Sequence, residues 1–212
     1  MRYERKYKVS DLHHHVILQN IRMHPAGLRQ IYPDRQINNI YFDSTGLQCY
    51  HDNVDGLAER MKFPVRWYGD DVREIENPNL EIKYRINEVG SKKIFPVSDF
   101  ELFNLKEITS EVSQILDKKY QLSPILLNSY NRSYYGTPDQ KFRITVDRNL
   151  RYFSFLSSNR FIRYTTQEHA VVMEIKYEME DDIYTERVTQ HFPLRQTKSS
   201  KYVTGVQMTG WL

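Results

Sequence analysis

Five segments of this chain alternate charged and apolar residues with a period of two. Arg60, Lys62 and Arg66 share one face of a segment whose other face is Met61, Phe63, Val65 and Trp67. Glu81, Lys83 and Arg85 alternate with Ile82, Tyr84 and Ile86. Arg143, Thr145 and Asp147 alternate with Phe142, Ile144 and Val146, and Glu174, Lys176 and Glu178 with Met173, Ile175 and Tyr177. Arg2, Glu4, Lys6 and Lys8 alternate with Tyr3 and Tyr7, with Arg5 as the exception. Side chains at i, i+2 and i+4 of a strand line one face. The pattern therefore predicts five strands, each with an apolar face and a face crowded with charge of both signs. A solvated face has no need to return so often to Arg, Lys and Glu. Basic residues two apart lie ~7 Å from each other and repel unless an anion or carboxylate sits between them. If one curled sheet holds all five strands, the charges converge on a polar tunnel and its cations call for an anionic ligand.

The apolar faces need cover. Stretches near 11–21, 98–118 and 181–192 carry apolar stripes at helical spacing and are predicted to pack outside the sheet. The expected fold class is α+β, a closed antiparallel barrel of about eight strands with outer helices. With 212 residues and no repeat or linker, residues 1–212 read as a single domain. Strands are predicted at 2–8, 36–43, 57–68, 80–87, 92–97, 124–135, 141–149, 152–155 and 170–178, with a short final strand near Ser200. Ser10 is read as a helix cap with Asp11 in the first turn, and Ser98 as the cap of a long helix ending near Tyr120. Residues 69–79 are read as a polar, acidic connection.

Thirty basic against 27 acidic residues leave a net charge of +3. That disfavours a nucleic-acid-binding surface, which shows a larger imbalance. Cys49 is the only cysteine, so no internal disulfide forms, as expected in a reducing compartment. No signal-peptide pattern and no apolar run near the ~20 residues of a membrane span is visible. A cytoplasmic location is expected. No P-loop and no Ser-His-Asp set is evident. His13, His14 and His15 are read as helix surface and Cys49 as a small packed thiol. Glu4, Glu81 and Glu174 lie among the cations and are candidate ligands for Mg²⁺ or Mn²⁺, which prefer oxygen donors. Glu81 reads first as an ion-pair partner of its neighbours.

In order along the chain, RYERKY at 2–7, INNIYFDS at 37–44, DGLAERMKFPVRWYGD at 55–70, LEIKYR at 80–85, NSYNRSYYG at 128–136, FRITVDRNLR at 142–151, VMEIKYE at 172–178 and SKY at 200–202 resemble the VTC domain family. That family is the polyphosphate-polymerase branch of the CYTH/triphosphate tunnel metalloenzyme superfamily. The resemblance implies a β-barrel whose tunnel binds triphosphate or polyphosphate. Arg2, Glu4 and Lys6 match its first-strand signature; Arg60, Lys62 and Arg66 match the basic strand after the YFD element. Lys83, Arg132, Arg143 and Lys201 match further tunnel cations, and Glu174 the metal-binding glutamate, with Glu4 as helper.

Lys6, Lys62, Arg66, Lys83, Arg132, Arg143 and Lys201 are thus expected to be catalytic. Arg2, Arg60, Lys83, Arg85, Arg132, Arg143, Lys176 and Lys201 are expected to bind phosphate. The implied reaction transfers the γ-phosphate of ATP onto polyphosphate with Mn²⁺ or Mg²⁺. A triphosphate hydrolase of the same fold and a polyphosphate-binding module without turnover are the alternatives. One position departs from the family pattern: Pro64 stands where the strand usually carries the first arginine of K-x-R-x-R.

Overall fold

The computed structural model describes residues 2–10, 14–70, 73–87, 89–155 and 162–210, with backbone only for 162–166. Asp11, His13 and Asp71 lie outside the described residues. In chain order the elements are β1 (Arg2–Val9), α1 (His14–Arg22), β2 (Arg29–Asp43), α2 (Gln48–Val54), β3 (Glu59–Tyr68), β4 (Glu74–Ile75), β5 (Asn79–Ile86) and β6 (Val89–Pro96). They continue with β7 (Phe100–Glu101), α3 (Lys106–Ile115), β8 (Ser123–Gly136), β9 (Arg143–Phe155), β10 (Ile162–Glu168) and β11 (Val171–Glu178). A 3-10 helix (Met179–Tyr184), α4 (Glu186–Thr189) and α5 (Lys201–Met208) follow.

Eight antiparallel strands pair in a ring, in the order β9, β11, β1, β6, β5, β3, β2, β8 and back to β9. β10 pairs with the far half of β9, outside the ring. All five alternating segments take part, and their apolar faces turn outward. Phe63, Val65, Trp67, Leu80 and Ile82 join Ile108 and Val112 of α3 and Tyr202 and Val206 of α5 in one buried cluster. Ile144, Val146, Met173 and Ile175 join Ile17 and Ile21 of α1 and Val188 of α4 in a second. Burying the two clusters against helices leaves the charged faces looking inward, because successive side chains of a strand point to opposite faces.

The ring has a thin seam. Among the described residues β1 and β6 share one register pair, Arg2 with Gly90. Below it the segment leading to α5 takes the place of a strand: Thr197 N–H donates to the Lys6 carbonyl at 2.8 Å, and Lys8 N–H donates to Thr197 Oγ1 at 2.9 Å.

Several elements differ from expectation. Ser98 caps no helix; its N–H donates to the Glu111 carboxylate at 3.1 and 3.2 Å. Phe100 and Glu101 pair with Ile75 and Glu74 as a two-residue strand, inside what the sequence presented as plain loop and long helix. Phe100 and Leu102 fit a period of two as well as a helical one, and burial in the first cluster satisfies either. The 181–192 stretch forms a 3-10 helix and one turn of α-helix. The two strands expected over 141–155 are one strand, β9, and β10 had no counterpart in the prediction. The final strand near Ser200 is a helix: Ser200 has extended backbone, and its Oγ accepts from Val203 N–H at 3.3 Å. That is the N-cap that turns S-K-Y into a helical start.

Candidate functional site: a cation-lined cavity inside the ring

The inward faces enclose a cavity of about 650 Å³. Its lining includes eleven cations: Arg2, Lys6, Arg60, Lys62, Arg66, Lys83, Arg85, Lys92, Arg132, Lys176 and Lys201. The carboxylates among its lining residues are Glu4, Glu81, Glu174 and Glu178. Every predicted site residue is there except Arg143. Arg143 shares its strand's inward parity but is exposed, and it lies opposite Gly136 and Lys176 at the end of the pairing, outside the lining. The structure does not bring it to the site.

At one end the cations are neutralised by buried acids. Asp147, fully buried on β9, accepts two hydrogen bonds from Arg132, Nε at 2.5 Å and Nη2 at 2.6 Å, and its Oδ2 lies 2.6 Å from Lys201 Nζ. Burial opposes ionisation of Asp147, but Arg132 and Lys201 outweigh it and hold the carboxyl below its ordinary value. Tyr130 lies under both cations, with Arg132 5.3 Å and Lys201 4.9 Å from its ring centre. Glu174, 4% exposed, meets Lys201 at 3.3 Å, Lys176 at 3.1 Å, Arg132 at 3.7 Å and Lys6 at 3.8 Å. Burial pushes its carboxyl up; the surrounding cations overcome that and hold it well below the carboxylate range. Glu4 bridges Lys6 at 3.4 Å and Lys176 at 3.2 Å. Burial and Glu174 push the Glu4 carboxyl up, and the two lysines bring it below its usual value.

Across the cavity, Lys62, Lys83 and Lys92 are register partners on β3, β5 and β6. Like charges directly opposite are destabilising. Lys62 donates to Ser200 Oγ at 2.8 Å. Burial, then Lys6 and Lys83, hold it well below the usual lysine value. Burial and Arg66 bring Lys83 down to about 7, with Glu81 pulling the other way. Arg60 and Arg85 form the next row and both donate to the Asn87 carbonyl, at 3.4 and 3.0 Å. Among the described residues no carboxylate pairs with Arg60, Lys62 or Arg85.

α5 completes the site. Its first residues carry S-K-Y into the lining: Ser200 to Lys62, Lys201 to Asp147 and Glu174, and Tyr202 to Asp43, whose Oδ2 accepts from the phenol at 2.6 Å. Gly205 lets the helix seat. A Cβ there would meet Leu126 Cδ2 at 2.3 Å and Tyr152 Cδ1 at 2.7 Å.

The sequence reading missed Asp147, Tyr130, Lys92 and Ser200. Asp147 and Tyr130 do stand on inward parity positions, beside Thr145 and Arg132. Lys92 precedes Lys93 and breaks any visible alternation. Glu81 is an ion-pair partner, of Lys83, Lys92 and Arg66. Cys49 is buried, and burial pushes its thiol up, as for a packed side chain. For a divalent metal the cavity offers the hard oxygens of Glu174 and Glu4. Thr145 Oγ1, cross-strand from Glu174, is buried with no hydrogen-bond partner. Among the described residues no group of three or more His, Cys, Asp or Glu is placed to hold a metal ion together.

Solved structures share this fold. An adenylate cyclase by provisional assignment from Vibrio parahaemolyticus is 14% identical, with 95% of this chain and 97% of that chain covered and a TM-score of 0.54. A protein of Pyrococcus horikoshii is 10% identical over 98% of both chains, with a TM-score of 0.55. A second provisionally assigned adenylate cyclase, from Bacillus halodurans, is 12% identical over 98% of this chain and 96% of that one, with a TM-score of 0.55. No curated protein matches the sequence. The VTC domain model matches residues 1–209, and the inward-facing cations, the ring and the terminal S-K-Y all fall within that span: the chain belongs to the VTC domain family.

Proposed function

We propose that this chain is a polyphosphate polymerase, holding ATP and polyphosphate in the ring's cavity and passing the γ-phosphate of one onto the other. The observation that carries the reading is the convergence of eleven cations from several strands and α5 on one cavity whose carboxylates number four. A chain of phosphates supplies the missing negative charge. Arg66 and Arg132 present planar forks to non-bridging oxygens, and Lys62, Lys83, Lys176 and Lys201 act as point charges. Within low-dielectric walls these contacts strengthen.

In the transfer the bond between the γ-phosphorus and the β,γ-bridging oxygen breaks. A terminal oxygen of the polymer forms the new P–O bond, and ADP leaves with the bridging oxygen. No protein nucleophile is needed; the side chains align the two chains and stabilise charge on the transferring group. Glu174 and Glu4 would hold Mn²⁺ or Mg²⁺; two carboxylates suit an ion that keeps phosphate oxygens and water in its shell. When bound, the metal supplies Lewis-acid stabilisation of phosphoryl charge. Lys6 and Lys176 keep both carboxylates ionised, and Lys201 adds to the hold on Glu174.

Incubation with ATP and Mn²⁺, followed by gel analysis for long phosphate chains, tests the reading. Polymer supports it. Orthophosphate released from inorganic triphosphate without polymer identifies a hydrolase, and tight polyphosphate binding without either product identifies a binding module.

A further inference from the structure

Among the lining residues from β3, β5 and β6, six of which are cations, Glu81 is the one carboxylate. It is buried, 3% exposed, and cations from three strands close on it: Lys83 Nζ at 2.9 Å, Lys92 Nζ at 2.9 Å and Arg66 Nη1 at 3.4 Å. Burial pushes the carboxyl up, and Lys83, Arg66 and Lys92 drive it far below its usual range. Its Oε2 nevertheless lacks a well-directed hydrogen bond. The residue directly across the β3–β5 pair contributes nothing. On β3 the position facing Glu81 falls between the pairs Lys62–Lys83 and Val65–Leu80, and Pro64 occupies it, with neither an N–H nor a charge. The Glu81 head group is therefore held by cations alone, in the manner of a bound anion.

We infer that Glu81 is a built-in counter-anion, which an incoming phosphate chain must displace from Lys83, Lys92 and Arg66. The inference rests on the phosphate-binding reading of the cavity and adds a specificity rule to it. Arg60, Lys62 and Arg85 have no carboxylate partner among the described residues and are free to receive the first phosphate. A single phosphate stops there, because it cannot both hold the outer cations and replace Glu81. A triphosphate or longer chain reaches both groups at once, and its second and third phosphates compete with the carboxylate at no further cost in association entropy. Glu81 is a specificity-determining residue in this scheme: it sets the minimum chain length that binds well. Displacing it costs the contacts to Lys83, Lys92 and Arg66, and the second and third phosphates replace those contacts one for one.

The test is calorimetric titration of the full chain and of Glu81→Gln with inorganic triphosphate and with orthophosphate, at fixed ionic strength and without divalent metal. Melting temperatures are recorded with and without triphosphate. Glu81→Gln is expected to bind triphosphate tighter by roughly tenfold, and to discriminate less against orthophosphate. It is expected to melt lower than the parent when empty and to recover with triphosphate. Affinity equal to or below the parent's, or a melting loss that triphosphate leaves in place, overturns the inference and makes Glu81 a strut of the ring. Failure of the unaltered chain to bind triphosphate overturns instead the reading on which the inference rests.

Discussion

Individual side chains in the cavity divide by what they already hold. Glu174 is clasped by four cations and faces the same space as Glu4, so Glu174→Gln is expected to lower metal-dependent turnover by about 100-fold while leaving the fold intact. Steady-state assays across a Mn²⁺ titration, with circular dichroism as the fold control, check this, and unchanged activity removes Glu174 from the metal role. Lys83 and Arg143 were both expected to touch phosphate, yet only Lys83 lines the cavity. Lys83→Ala is expected to weaken triphosphate binding by about tenfold at low salt, with the loss shrinking as salt rises, and Arg143→Ala to leave it within about twofold. Equal losses in the two would restore Arg143 to the site.

Lys83 also predicts a pH dependence. Its value in the empty cavity is about 7, below that of a free lysine, so above pH 7 the empty folded chain binds fewer protons there than the unfolded one. This contribution therefore stabilises the empty fold as pH rises through 7. Phosphate prefers the charged form, so triphosphate affinity should fall over the same window. The ligand's own ionisation works the other way. Comparison with Lys83→Arg, charged throughout, isolates the lysine; parallel profiles for the two proteins would show that Lys83 does not titrate there.

Among the elements, α5 does most to build the site from a distance in sequence. Its cap, Ser200, is also the acceptor for Lys62, and its first turn carries Lys201 to Asp147. The helix seats only because Gly205 has no side chain to strike Leu126 and Tyr152. Gly205→Ala is expected to destabilise the protein by about 1–3 kcal/mol and to weaken triphosphate binding, because the helix must shift and Lys201 with it. Denaturant unfolding and titration calorimetry read the two effects, and a destabilised variant with full affinity would uncouple the helix from the site. The sequence reading made this element a strand. S-K-Y-V-T carries β-branched and aromatic residues, and only the contact of Ser200 Oγ with Val203 N–H shows that the serine is a cap. Phe100 and Leu102 present the same difficulty in reverse: apolar spacing there is compatible with both periods, and pairing with β4 decides for the strand.

For the molecule as a whole, the ring gathers cations that its carboxylates only partly neutralise. Ligand binding to the native state alone should stabilise it strongly. Inorganic triphosphate at about a hundred times its dissociation constant is expected to add about 2.7 kcal/mol, or roughly 5–10 °C in melting temperature. Sulfate should give a smaller shift, and scanning calorimetry at constant ionic strength separates the specific effect from screening; equal shifts with both anions would mean general screening only. Most of this architecture was legible beforehand. Period-two alternation decided which residues of β1, β3, β5, β9 and β11 share a face, because side-chain direction in a strand follows from backbone geometry alone. Covering helices made the charged faces inward, and the ordered motifs pointed to the VTC family. What local pattern could not supply was position along the axis of the ring. Arg143 has the right parity and stands beyond the cavity; Asp147, on the same face of the same strand, is fully buried and holds two of the lining cations, Arg132 and Lys201. Nor could it supply pairing between distant charges, since Glu81 meets Lys92 and Arg66 only where three strands lie side by side. The sequence by itself determined the faces, the sign of the charge and the family. Register, the seating of α5 and the choice of which carboxylate neutralises which cation were decided by the tertiary structure, because they depend on how far each strand slides past its neighbour when the ring closes.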